Sequence, residues 1–362
     1  VIQIYNPTHV FWSRILSRLI SPLYLFCNLF RKSELLDSDK IKSIFVLQYH
    51  RIGDVILIAP ILKSLKNKFP RAKITLLCCQ QAVLLAENLH LADEVIGVTV
   101  PWTNWDWSIA KWIGARSFSR NFRERNIDIA IDFKGDLRDS WFLWNLKSKM
   151  SLGYTDTGGA FFYTHSNSSP TDAHQTLRAF NLIEKLGCKS IIMEENKMEY
   201  NATGTIVFHA GGTDPKRSWP EKHWLELAES LSRTHKVSVV KTNETRGLIQ
   251  RMKEKGLTVE VFSGDLVEFK NWLMSQKLLI AIDSMPGHLA AYLKIPVISI
   301  FGAQSPDWTR PLGKYVSIVR PNDICNHVRD HWRLCSQCMA SVQVEKVLSE
   351  VTKLISRVQN GV

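Results

Sequence analysis

The stretch S-I-F-V-L-Q-Y-H-R-I-G-D-V-I-L-I-A-P-I-L-K-S-L-K-N-K, residues 43–68, decides the fold class. Its opening run, Ser43–Gln48, is almost wholly apolar and rich in β-branched and aromatic side chains. Such a run reads as a strand buried on both faces. From Val55 to Lys68 the apolar positions recur at helical spacing, so the strand feeds a helix through the short turn His50–Val55. Moving outward, Ala72–Cys79 reads as a second strand, and Glu94–Gly97 and Asp128–Asp132 continue the series. Strands of this kind separated by helices argue for a parallel sheet covered on both faces.

The same rhythm restarts after a polar stretch around Glu194–Gly204. Thr205–His209, Val237–Lys241, Leu278–Ile282 and Val297–Phe301 are the new strands, with helices beginning near Glu221, Glu244, Leu266 and Pro286. Two β/α series joined by a polar linker predict an α/β protein of two Rossmann-like, doubly wound domains facing a cleft. The expected boundaries are an amphipathic extension at 1–40, a first domain at 41–195, a second at 196–340 and a C-terminal helix at 341–362. A length of 362 residues suits two cores, and 45% hydrophobic with 22% charged residues excludes a disordered chain.

A formal net charge of +12 points to an anionic partner. The basic residues are spread out and no recognition module is evident, so nucleic acid is not expected. Cys27, Cys78, Cys79 and Cys188 are scattered as free thiols of a reducing compartment are, which fits a cytoplasmic location. No secretory signal and no run of about 18 apolar residues is present, so no membrane-spanning helix is expected. Residues 11–32 mix Phe11, Trp12, Leu16, Leu19, Leu23 and Phe26 with Arg14, Arg18, Arg31 and Lys32. The run reads either as a helix lying in an anionic membrane interface or as a helix packed on the first domain. Pro22 is expected to break or kink it. The tryptophans Trp102, Trp105, Trp107 and Trp112 read as a sugar or lipid platform, or as packing.

Three motifs carry chemistry. In open α/β sheets ligands sit at the carboxyl ends of strands, which places the turn His50–Val55 at a site. Gly53 allows a tight turn and close approach of a ligand, with Arg51 beside it as a candidate contact, and Asp54 reads either as a helix N-cap or as a general base. The turn lacks G-x-G-x-x-G, and no G-x-x-x-x-G-K-[ST] occurs, which disfavours dehydrogenases and P-loop enzymes. The second motif, His209-Ala-Gly-Gly-Thr-Asp-Pro-Lys-Arg-Ser-Trp-Pro220, follows the first strand of the second series. Gly211, Gly212 and Thr213 read as a phosphate cradle with Lys216 and Arg217 neutralising a diphosphate, or as a solvated basic loop. The third is Asp283-Ser284-Met285-Pro286-Gly287-His288. A helix start there offers free amides to a phosphate, and Asp283 suits ribose or sugar hydroxyls.

Metal ligands are sought in two places. The sole Asp-x-Asp, Asp37-Ser-Asp39, precedes the first strand and reads as solvated linker. The late cluster Cys325-x-His327-x₃-His331-x₃-Cys335-x₂-Cys338 has the residue types of a zinc or iron site. It lacks the paired Cys-x₂-Cys of a clean finger, so free thiols with packed or exposed histidines are expected and no metal is assigned.

Together the motifs resemble glycosyltransferase family 9, the ADP-heptose:lipopolysaccharide heptosyltransferases. Arg51-Ile52-Gly53-Asp54 matches the family's S-x-G-D, and Ile131–Ser140 matches I-D-x-Q-G-x-x-R-S. His209–Pro220, Asp283–Ala291 with Phe301-Gly302, and Cys335–Met339 match three further segments in order. The resemblance implies a GT-B-like fold, inverting transfer, an ADP-heptose donor, and neither a resident cofactor nor a metal. It implies Asp54 as catalytic base, Arg217 or Lys216 as the phosphate-binding cation, and Asp283, Ser284, Met285, Gly287 and His288 as donor-binding. Glu244 falls where a ribose-binding acid is expected, and Arg138 lies on the acceptor side. The implied acceptor is an anionic, lipid-linked lipopolysaccharide core saccharide, met at the cytoplasmic face of the inner membrane. Two departures stand out: Met285 replaces the donor motif's glycine, and Arg217 replaces lysine. Alternatives are transfer to a protein adhesin by an enzyme with a cysteine-bound metal, and a non-catalytic lipopolysaccharide-binding scaffold.

Overall fold

Every apolar run marked above as a strand lies in one of two all-parallel, six-stranded sheets. The computed structural model describes residues 6–28, 38–103, 108–170, 172–193, 200–212, 214–323, 325–328 and 334–360. The chain divides into two compact units, Val1–Met193 and Glu194–Val362.

The first sheet contains β1 (Ser43–Gln48), β2 (Lys73–Cys79), β3 (Glu94–Val98), β4 (Ile129–Asp132), β5 (Met150–Tyr154) and β6 (His165–Asn167), in the order β3-β2-β1-β4-β5-β6. The second contains β7 (Ile206–His209), β8 (Val237–Val240), β9 (Val259–Phe262), β10 (Leu278–Ile282), β11 (Val297–Ile300) and β12 (Val316–Val319), in the order β12-β11-β10-β7-β8-β9. Counted from its own first strand, each sheet has the doubly wound order 3-2-1-4-5-6. The order therefore reverses between β1 and β4 in one sheet and between β7 and β10 in the other. At such a switch point the connections leave in opposite directions and open a crevice at the carboxyl ends of the strands.

Helices α1 (Pro7–Asn28), α2 (Ile52–Leu57), α3 (Ala59–Lys68), α4 (Val83–Asn88), α5 (Ile109–Arg120), α6 (Leu137–Leu146) and α7 (Gln175–Glu184) belong to the first unit. In the second are α8 (Glu221–Leu231), α9 (Arg246–Glu254), α10 (Leu266–Leu273), α11 (Met285–Tyr292), α12 (Pro306–Thr309), α13 (Ser336–Ala340) and α14 (Val344–Gln359). Phe45, Leu47, Leu77, Phe142 and Leu143 centre the first core, and Phe208, Trp224, Ile280, Ile300 and Val351 the second. Val344, Val347, Val351, Leu354, Ile355 and Val358 give α14 one buried face at helical spacing.

Two expectations are corrected. The helix after β1 starts at Ile52, not Val55, and is interrupted at Ile58. Pro60 has no N–H to bond the carbonyl of Ile56 and its ring crowds that carbonyl, so the helix restarts as α3 around it. Pro22, in contrast, does not break α1, which runs unbroken from Pro7 to Asn28. The proline deprives the carbonyl of Arg18 of its usual donor, and the Ser21 hydroxyl donates to that carbonyl instead, at 3.1 Å.

α1 packs on the first unit through Ile20 and Tyr24, which meet Phe161, Phe162 and Trp144. The Gly159 N–H donates to Ser17 Oγ (2.9 Å), and Arg14 Nε donates to the Asp156 carbonyl (3.1 Å). Its other face leaves Trp12, Leu19 and Leu23 at 62%, 74% and 66% exposure. Among the described residues no helix is long and apolar enough to cross a membrane. Trp102 is buried and packs with Trp112 and Trp141, while Trp105 and Trp107 lie outside the described residues.

Candidate active site

The first switch point is built from the ends of β1 and β4. Arg51, exposed and extended, is the N-cap of α2 and makes no side-chain cap bond. Asp54 is thus the third residue inside the helix, and the N-cap reading of it is corrected. Gly53 likewise lies within the first helical turn and not in a tight turn; the left-handed glycine here is Gly135 (φ 77), whose Cβ would sit 2.7 Å from Tyr154 Cβ. Lys134 Nζ, from the loop after β4, donates to Asp54 Oδ2 at 2.9 Å, and both side chains are largely buried. Burial by itself would raise the Asp54 pKa, but the charge and hydrogen bond of Lys134, aided by Arg51 and His50, hold it below the usual carboxylate value. Asp54 is therefore an ionised carboxylate at neutral pH.

Behind this pair lies a buried network that the sequence reading missed. Asp139, in the first turn of α6, accepts from Tyr49 Oη (2.5 Å) and Trp102 Nε1 (2.8 Å) on one oxygen. His50 Nε2 lies 2.7 Å from its other oxygen. Asp132 accepts from the amides of Lys134 (2.7 Å) and Gly135 (3.0 Å) and from Tyr163 Oη (2.6 Å), which fixes the loop that presents Lys134. Burial and then the charge of Asp139 push Asp132 upward, whereas His50 and Tyr49 hold Asp139 down against its own burial. Arg138, expected on the acceptor side, is gripped in a fork by Asp136, with Nε–Oδ1 at 2.8 Å and Nη2–Oδ2 at 2.6 Å.

The second switch point is built from the ends of β7 and β10. The backbone after β7 runs so close to its neighbours that side chains do not fit. A Cβ on Gly211 would lie 2.4 Å from Thr242 Oγ1, and one on Gly212 2.7 Å from Ile282 Cδ1. Thr213 lies outside the described residues. Asp214 accepts from the Lys216 amide (3.1 Å) and caps the 3-10 turn Pro215–Arg217. From that turn Arg217 Nη1 donates to Asp283 Oδ2 (2.9 Å) and to its carbonyl (3.1 Å), while Nη2 donates to Gln304 Oε1 (3.2 Å). The second and third motifs thus meet in one place, through Arg217, with Lys216 half-buried beside it. Gln304, after β11, belongs to none of the sequence motifs and is found only through its bond to Arg217.

Ser284 is the N-cap of α11, but its hydroxyl donates backward to the Ile282 carbonyl (3.1 Å) and makes no cap bond. Pro286 has no N–H and the Gly287 N–H donates to the Ser284 carbonyl (3.2 Å), so this helix end offers an anion the Met285 N–H and the positive end of its dipole. Met285 opens that helix, and Gly287 and His288 are buried within its first turns. His209, at the end of β7, is half-buried, and loss of solvent around its ring pushes its pKa down to about 4, so it is a neutral imidazole. Glu244 is exposed beyond β8, and a hydrogen bond from Thr242 lowers its pKa.

Of the residues weighed for metal, Asp39 lies in the short turn Ser38–Lys40, and Asp37 and His331 lie outside the described residues. Cys325, His327, Cys335 and Cys338, by contrast, converge in the second unit.

The arrangement can hold an anion on cations and a helix N-terminus at one switch point and offers an ionised carboxylate at the other. The chain is 23% identical to lipopolysaccharide heptosyltransferase 1 of Pseudomonas aeruginosa over 292 residues, 75% of this chain and 81% of that protein. In fold it is similar to the Escherichia coli heptosyltransferase WaaC with ADP (TM-score 0.71, 18% identity, 86% of this chain and 99% of that one). It is also similar to a family 9 glycosyl transferase of Veillonella parvula (TM-score 0.72, 19% identity, 90% of this chain and 100% of that one). Residues 115–336 match glycosyltransferase family 9 (heptosyltransferase), and by that match over more than half its length the chain belongs to this glycosyltransferase family.

Proposed function

We propose that the chain transfers a heptose from ADP-heptose to a hydroxyl of a lipopolysaccharide core acceptor, with inversion at the anomeric carbon. The observation that carries the reading is the junction of Arg217, Asp283 and Gln304 beside the start of α11. It sets a guanidinium beside the positive end of a helix, as a leaving diphosphate requires. The similarity to a heptosyltransferase solved with ADP supports the adenine donor.

In this mechanism Asp54 accepts the proton of the acceptor hydroxyl as that oxygen attacks the anomeric carbon from the face opposite the diphosphate. The bond from the anomeric carbon to the diphosphate oxygen breaks, and its electron pair leaves on that oxygen. Arg217, Lys216 and the positive end of α11 neutralise the charge that develops there. Gly211, Gly212 and Thr213 shape the donor loop, Glu244 binds ribose hydroxyls, and Asp283, Ser284, Met285, Gly287 and His288 complete the donor site. Arg51, Gly53 and Arg138 serve the acceptor. Lys134 keeps Asp54 ionised and aimed.

The lipid-linked acceptor is favoured over a protein by α1. Its exposed apolar face carries Trp12, Leu19 and Leu23, and a cavity of about 470 Å³ beside it is lined by Val10, Phe11, Ile15, Arg14, Arg18 and Asp156. An apolar face with arginines suits an anionic membrane surface, and the +12 charge adds long-range attraction. Asp54→Asn tests the chemistry: kcat should fall by about 10²–10⁴ with ADP affinity unchanged. Wild-type turnover in that variant would refute the assignment of the base.

A further inference from the structure

The segment after β12 and the start of α13 bring three thiols and an imidazole to one point. Sγ of Cys325, Cys335 and Cys338 lie 3.9, 3.6 and 3.4 Å from the same atom, Nδ1 of His327. All four atoms fall within 4.8 Å of one another. Hydrogen bonding does not account for this convergence, because one ring nitrogen carries either one proton or one lone pair. A tetrahedral ion does: Zn–S and Zn–N bonds of about 2.3 and 2.0 Å give S···N edges of about 3.5 Å. The spacing reads as two short pairs, Cys325-x-His327 and Cys335-x₂-Cys338, brought together by folding. Cys335 and Cys338 are buried, and none of the described cysteines is in a disulfide.

We propose that Cys325, His327, Cys335 and Cys338 form a closed structural zinc site. Three thiolates with one imidazole select a thiolate-preferring ion of tetrahedral habit, and four protein ligands leave no open position for catalysis. Binding releases the thiol protons to solvent and ties the segment after β12 to α13. The consequence reaches the donor loop. α13 packs against the turn Pro215–Arg217, and Met339 lies against Gly302, two residues before Gln304. The ion thus braces, from behind, the two segments that hold Arg217.

The site is independent of which sugar or nucleotide the protein uses, and its test needs no donor. The full chain, expressed with zinc and iron both supplied, should carry about one zinc per molecule by plasma mass spectrometry. Exchange with cobalt(II) should give thiolate-to-cobalt charge-transfer bands and the intense visible bands of a tetrahedral ion. Both signals should be lost in Cys335→Ser/Cys338→Ser and kept in His327→Cys, which preserves four soft ligands. A strong chelator should lower the melting temperature of wild type and leave the double variant unmoved. A folded wild type with no stoichiometric metal, whose melting ignores zinc and chelator, would overturn the proposal. Stoichiometric iron in place of zinc would overturn the choice of ion. Because the cobalt spectrum is read on wild type, misfolding of the double variant does not blunt the test.

Discussion

Asp54 and Lys134 are 80 positions apart in sequence and 2.9 Å apart in space. β1 and β4 are adjacent and parallel, so the loops leaving their carboxyl ends meet. Asp54 could be singled out from sequence because its strand, turn and helix are contiguous. Its partner could not, because the choice of neighbour strand is made by the whole sheet. Asp139, Gln304 and the bond His50 makes to Asp139 were hidden for the same reason. The pair gives a signed pH prediction. Lys134 holds the Asp54 pKa down against burial, so base activity is present above the ordinary carboxylate range and is lost as pH falls through the depressed value. In Lys134→Met only Arg51 and His50 still oppose burial, and the acid limb of the kcat/KM profile should move toward neutrality. An acid limb left where it was would show that Lys134 does not set the charge of Asp54. The folded-state stability contributed by Asp54 follows the same sign, being lost on acidification.

At the scale of elements, the strands flanking each switch point were readable because burial on both faces makes them uninterrupted apolar runs. The strands that escaped, β5, β6, β9 and β12, are interrupted or lie toward the sheet edges. β5 contains Gly153, where a Cβ would fall 2.2 Å from the Tyr163 ring, and β6 is a short polar run at an edge. β9 and β12 are edge strands with half-exposed positions. α1 shows the opposite limit. Its amphipathic pattern was visible, but its continuity through Pro22 depends on the Ser21 hydroxyl replacing a lost donor. The buried side of α1 is already used by Ile20 and Tyr24, which frees the other for a surface. Replacing Trp12, Leu19 and Leu23 by serine should abolish co-sedimentation with vesicles containing phosphatidylglycerol and leave the circular dichroism spectrum and soluble-donor binding unchanged. Equal vesicle binding by variant and wild type would remove α1 from the membrane account.

Across the whole molecule, one topology is used twice. Each unit places its chemistry after its first and fourth strands, so β1 and β4 present Asp54 with Lys134, and β7 and β10 present Arg217 with Asp283. Duplication of the order 3-2-1-4-5-6 explains why four motifs spread over 240 residues recur at like places: each sits where a doubly wound sheet opens a crevice. The strand rhythm made this division readable from sequence, whereas the choice of Arg217 over Lys216 as the residue bonded to Asp283 needed coordinates. The central claim is that the second switch point binds the diphosphate of an adenine nucleotide. Calorimetric titration of ADP, UDP and GDP into wild type and Arg217→Ala tests it most directly. The account predicts binding of ADP in preference to the other two, weakened at least about tenfold by the substitution, as loss of a charge-assisted contact of about 1.5–3 kcal/mol requires. A preference for UDP or GDP, or ADP affinity indifferent to Arg217, would contradict it.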